Sequence, residues 1–589
     1  MRSKILQECF RPILPSFQSR LESLFSSSAS TPSRGSLEAV CAIYESTLRF
    51  LSLSYELVAG AFLDIAEPPS GARKDTGRKL YDDMVGVFFQ VSAPFSNYQQ
   101  RFDQLELKHC KAATELVSKD IQQAVGFVSS STNVDLETLQ DATERLKDLA
   151  PFIFPIMEGS LDRFELLLNG YHVGEALVTV DKVCKDHAGE LVIAIRTLSA
   201  AMTADANRLA DSFDEQHVLC AMEVLKIAGS FKRDLRNFEG KSRERMMMLA
   251  QRMEAHLARE ERLNEMRKNN KAKSAFVLPD SLSVVEIDSI LTNAICCENM
   301  SEEANGPLSV LQRLAVTEAE RASVALYPET DDEINRLANS CHTFVFDVCS
   351  AVPRKHLRDI SSMKVWQKAE VASSLDSYGT LPQQYITHVG EHMLALVQAL
   401  EPFASDPEAL SLANEVMEGV RDVAVHAWSE FVASAGLIGS DSVIGVLMNG
   451  KDLKELVLSN AALDEEDAGL EEDAGQAEKE IATFCNMWLD LLGLDVTGRL
   501  LERIMRIPQL TSKGCEHLSA DLNYLVNVFS ALGVAGHPHP LVSHLAELAN
   551  LSDGDLREQI SSRDRNNPVE SALRSVEVRV ALLRGIVVN

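Results

Sequence analysis

Two stretches of this chain carry residue types that could do chemistry, and both fall short on spacing. Residues 71–79, GARKDTGRK, mix glycines and cations in the manner of a phosphate-cradling loop. Such a loop needs four residues between its glycines, a lysine directly after the second and a strand before the first. Here Gly71 and Gly77 stand one residue too far apart, Arg78 takes the lysine position, and no strand pattern precedes them. His537 and His539, in HPHP, with His544 beyond, offer imidazoles for a metal. Structural zinc wants four nitrogen or sulfur ligands, and no cysteine or carboxylate converges locally. The prolines suit a turn after a helix ending near Gly533, so the histidines are read as a surface loop. Lone histidines such as His187 and His426 read as packing or surface positions. H-E-x-x-H, G-x-S-x-G and the dinucleotide glycine fingerprint are missing. No catalytic, cofactor-binding or metal-binding residue is assigned, no cofactor is expected, and the chain reads as a non-enzyme that binds other proteins.

The elements around these residues read as helices. Prolines are lacking between Pro155 and Pro279 and between Pro407 and Pro508, and these tracts are rich in residues that keep rotamer freedom in a helix. Leu177, Val180, Cys184, Ala188, Leu191, Ile195 and Leu198 recur at alternating three and four, one apolar helix face. Leu518, Leu522, Leu525, Phe529 and Leu532 repeat the pattern, and sustained strand alternation is not found. The fold class predicted is all-α: an elongated rod of successive antiparallel helical bundles.

With 589 residues the chain has room for several cores. The organisation expected is a helical-bundle region over 1–275, with flexible linkers near 26–36 and 68–77. A second bundle region follows over 276–463, then an acidic loop over 464–480 and a C-terminal bundle over 481–589. The loop holds the tandem EEDAG-L-EEDAG, whose like charges repel and whose glycines weaken helix. Residues 241–273 differ: Met246, Leu249, Met253 and Leu257 form a stripe among alternating Arg and Glu, predicting a long exposed helix laced by i,i+4 pairs.

A net charge of -29 disfavours nucleic acid phosphates and anionic lipid headgroups. Contact with a membrane is therefore expected through proteins. The most apolar run, 431–448, carries Asp441 near its middle and reads as a buried helix hairpin rather than a membrane span. The 11 cysteines include no C-x-x-C pair and fit reduced, mostly buried thiols of a cytosolic chain. No secretory signal is visible at the start.

Two stretches go beyond generic helix. Residues 381–403 read LPQQYITHVGEHMLALVQALEPF: Pro382 starts a helix, Ile386, Val389, Met393, Leu396 and Leu400 form its stripe, and Pro402 ends it. In residues 487–534 a helix closes at Ile507-Pro508, Thr511 or Ser512 caps the next, and Gly533 ends it. The runs LP-x-x-YI…G…LEPF and IP-x-L…L-x-x-DL-x-YL-x-NV-x-x-ALG, with an acidic loop between them, resemble the subunit-seven family of the conserved oligomeric Golgi complex. Weaker echoes lie in 94–106 and 168–202. The resemblance implies stacked helical bundles and a role in retrograde intra-Golgi vesicle tethering, which keeps glycosylation enzymes in place. It implies a peripheral location on the cytosolic face of Golgi membranes. The partners implied are the other complex subunits, Golgi SNAREs and small GTPases. It also implies that the chain starts after the family's N-terminal coiled-coil region. The competing reading is a generic α-solenoid scaffold, which requires a regular repeat that the sequence does not show.

Overall fold

The computed structural model describes residues 8, 11–26, 35–63, 72–130, 136–203, 210, 213, 215–268, 278–299, 305–315, 325–367, 381–410, 417–437, 441–448, 476–534 and 536–588. Among the described residues every regular element is helical. In chain order the α-helices are α1 Leu14–Ser26, α2 Gly35–Leu63, α3 Ala72–Ser92, α4 Ser96–Gln100, α5 Phe102–Ser130, α6 Leu136–Leu149 and α7 Ile153–Leu168. Then come α8 Val173–Thr203, α9 Glu215–Lys268, α10 Val284–Asn299, α11 Asn305–Leu314, α12 Pro328–Leu357, α13 Gln384–Leu400 and α14 Pro407–Leu410. The last seven are α15 Met417–Ser434, α16 Asp441–Met448, α17 Gln476–Met505, α18 Ser512–Leu532, α19 Pro540–Asn550, α20 Asp553–Ser562 and α21 Pro568–Leu583.

The chain folds as two compact units. Unit 1 comprises Met1–Gln122, Asp148–Glu190 and Phe231–Ile334; unit 2 comprises Gln123–Lys147, Leu191–Ser230 and Asn335–Asn589.

In unit 1, Leu37, Val40, Tyr44, Leu48, Leu51 and Tyr55 form the buried face of α2, which packs against α3, α7 and α10. The Tyr44 hydroxyl donates to Asp288 Oδ1 on α10 at 2.8 Å, so this buried carboxylate is hydrogen-bonded. Asp181 on α8 caps α12 from outside. Its carboxylate accepts from the Glu329 and Thr330 backbone N–H groups at 3.0 and 2.9 Å, satisfying donors a helix start leaves open.

The basic helix 241–268 departs from expectation. Met246, Leu249 and Met253 are buried, and its arginines reach other elements more than their own turn: Arg252 to Glu165 at 2.5 Å and Arg259 to Glu286 at 2.5 Å, with Arg245 paired to Asp162. Arg243–Glu239 at 2.6 Å keeps the i,i+4 form. An apolar stripe with charges on both flanks seeks a neighbouring bundle before it seeks solvent. Residues 269–273 of the expected helix lie outside the described residues.

Helices reach into the expected linkers. α1 runs to Ser26 and α2 begins at Gly35, while α3 begins at Ala72, inside the expected linker 68–77 and over most of the phosphate-loop look-alike. One helical glycine, Gly77, costs about 1 kcal/mol. Burying Tyr81, Met84, Val87 and Phe88 on the same helix outweighs that. Likewise α17 begins at Gln476, so the last residues of the expected acidic loop are helical. Residues 27–34, 64–71 and 449–475 lie outside the described residues.

In unit 2, α15 lies along α17. Gly498 leaves room for the Trp428 ring, whose Nε1–H donates to Leu494 O at 3.0 Å. After α15 a left-handed Gly436 (φ 75°) turns the chain toward α16, the break expected within 431–448. No described helix is long and apolar enough to cross a membrane. α18 and α19 pack as a hairpin, and α13 packs on the other flank of α18. Thr511 caps α18 by accepting from Gly514 N, and Gly533 (φ 65°) ends it.

The main neighbours of α18 are α13, α19 and the 3-10 turn Lys364–Gln367. Gly390 on α13 explains the choice, because a Cβ there would meet Tyr524 at 2.7 Å and Val528 at 2.9 Å. The bare backbone takes in the two residues that widen the stripe. Leu525 and Phe529 are fully buried, and truncating either to alanine is expected to cost roughly 2–5 kcal/mol. Urea denaturation of Leu525→Ala and Phe529→Ala checks this; unchanged midpoints would mean α18 is not packed as described.

Candidate functional site

One cleft with convergent polar groups lies in unit 2, where α12, α13 and the start of α9 meet. It has a volume of about 550 Å³ and is lined by Phe213, Lys355, His356, His388, Glu391 and His392, with an apolar floor. Residues 388–392 spell H-x-x-E-H, the inverted order used by some zinc peptidases. A search for H-E-x-x-H alone passes over this signal, and only the fold shows that His356 joins it. The His356 and His388 rings stand 4.7 Å apart. His392 is held in place by a backbone carbonyl. Its Nε2 lies 2.7 Å from the Cys349 carbonyl, so that nitrogen carries the proton and donates. Burial pushes its pKa down to about 4. Among the described residues no three His, Cys, Asp or Glu side chains are placed to hold a metal ion.

The histidines of HPHP are not on a surface loop. His537, His539 and His544 are all buried in unit 2. Gly493 on α17 makes space for the His537 ring, which a Cβ would meet at 2.7 Å; its Nε2 sits 3.1 Å from Asp490 Oδ1. The His539 ring packs 4.7 Å from that of Trp428, and its Nδ1 accepts from Leu541 N at 3.3 Å, capping α19. Burial and the neighbouring His537 push His539 down to about 3, which keeps that nitrogen an acceptor. His544 bonds Glu577 at 3.1 Å. Turn chemistry was legible in the prolines, but the helices that cover the turn come from elsewhere in the sequence. His187 is also buried, with Nε2 3.0 Å from Ala150 O, whereas His426 is exposed.

Glu577 and Asp521 are two buried carboxylates that join helices of unit 2. Glu577 takes His544, Gln559 at 3.2 Å and Arg563 at 2.9 Å, joining α19, α20 and the turn before α21. Burial would raise its pKa, but the His544 and Arg563 bonds more than offset this and hold it below the usual range. Asp521 on α18 accepts from Gln383 N at 2.6 Å and from the Tyr385 hydroxyl at 2.8 Å, at the start of α13. This is the bond to a neighbouring helix end that a buried carboxylate needs. Asp521→Ala leaves the buried Tyr385 hydroxyl open, at about 1–3 kcal/mol, along with the half-buried Gln383 N–H, and thermal denaturation should show it. Lost partner binding with an unchanged melting curve would instead put Asp521 in an interface.

On α2, opposite its core face, Leu53 and Leu57 are 61% and 75% exposed. Every cysteine side chain described is buried. Buried polar groups such as Asp521 and Glu577 serve as structural joints between helices.

A family model described as Golgi complex component 7 (COG7) matches residues 2–423. That range includes 381–403 and both weaker echoes but stops short of 487–534. The "Conserved oligomeric Golgi complex subunit 7" of Arabidopsis thaliana is 19% identical over 480 residues, covering 78% of this chain and 48% of the relative. The proteins of the same name from Homo sapiens and Rattus norvegicus are each 21% identical, over 38% and 43% of this chain and 23% and 26% of their own length. The chain thus spans half or less of these relatives. With the family model matching well over half of its length, the chain belongs to the Golgi complex component 7 (COG7) family.

Proposed function

We propose that this chain is a non-enzymatic subunit of the conserved oligomeric Golgi complex. It acts in retrograde intra-Golgi vesicle tethering and so keeps glycosylation enzymes in their cisternae. The family match over 2–423 carries this reading. Leu53 and Leu57, exposed on α2 away from its core face, support it as apolar side chains suited to a partner surface. The strongly negative charge supports attachment to the cytosolic face of Golgi membranes through proteins rather than lipid headgroups. The partners are the other subunits of the complex, with Golgi SNAREs and small GTPases on the vesicle and target sides. Consecutive helices of 54, 16 and 10 residues argue against the regular repeat of a generic solenoid scaffold.

The experiment is native affinity purification of the tagged full chain from cells of its source, with mass spectrometry. The expected result is recovery of the other complex subunits in near-equal amounts, with Golgi glycosyltransferases displaced when the chain is depleted. Recovery of the chain alone, with those enzymes undisturbed on depletion, would sink the proposal.

A further inference from the structure

We draw no further inference here: the strongest candidate, the cavity of unit 2 between α12, α13 and the start of α9 with His356, His388, Glu391 and His392 in its lining, brings no three donors together around a metal ion, and nothing in the structure shows what would fill it.

Discussion

Replacing Gly229 with alanine is expected to destabilise unit 2 strongly, while the same substitution at Gly240, further along the same helix, is expected to stabilise. A Cβ on Gly229 would stand 2.1 Å from the Glu408 carbonyl oxygen and 2.7 Å from its carbon. The obstacle is backbone, and it cannot step aside cheaply. Ala404 and Ala409 on either side are fully buried, and Asp406 is held by Lys226 at 2.9 Å. Overpacking typically costs 1–3 kcal/mol when side chains yield, so about 3 kcal/mol or more is expected here. A Cβ on Gly240 would meet nothing within 4 Å. Alanine there should gain about 0.5–1 kcal/mol by restricting the unfolded chain. Chemical denaturation of the two variants gives the comparison directly. A wild-type midpoint for Gly229→Ala would contradict the close crossing of α9 by the segment around α14.

Mild acid should loosen unit 2 before unit 1. His342 and His392 are pushed down to about 4 and His539 to about 3, in each case first by burial. A group whose pKa is lower folded than unfolded contributes stability that is whole above its unfolded value. That contribution is lost as pH falls through the gap between the two values. For these imidazoles the loss begins near pH 6.5, and by pH 5.5 it is about 1 kcal/mol each. Asp521 works the other way: burial raises it to about 6, so it returns about 1 kcal/mol over the same interval. Unit 2 therefore loses about 2–3 kcal/mol between pH 7 and 5.5. In unit 1, burial pushes His187 down to about 4 and Asp288 up to about 7, and these two nearly cancel. His256 is lowered and Asp331 raised, mainly by burial, and they oppose each other in the same way. Amide hydrogen exchange at the two pH values, corrected for intrinsic rates, should show protection falling in unit 2 while unit 1 holds. Unit 1 opening first would overturn this account.

Much of the helical fold was readable because burial imposes a period. All seven stripe residues of α8, from Leu177 to Leu198, are buried, as are Ile386, Val389, Met393, Leu396 and Leu400 on α13. Caps were readable too, since Thr511 and Gly533 each satisfy a local need. What period and caps do not encode is which neighbour a face meets. α18 chose α13 because Gly390 clears a path, and the HPHP turn is buried because Gly493 does the same. Neither glycine advertises this in its own surroundings. The H-x-x-E-H run shows the converse: the order was present in the sequence, but the Cys349 carbonyl fixes what His392 can do.

Unit 2 is assembled from three separate stretches, and this bears on how the protein is made. Its first two pieces, Gln123–Lys147 and Leu191–Ser230, leave the ribosome long before Asn335–Asn589 is finished. At 5–20 residues per second, the first piece waits roughly 20–90 s for the last residue of its own core. Through most of that interval Val218, Met222, Leu225 and Ile227, all fully buried in the finished unit, have no completed core to enter. Nascent chains of this protein should therefore depend on a holding chaperone, and that dependence should lift only as the residues after 334 emerge.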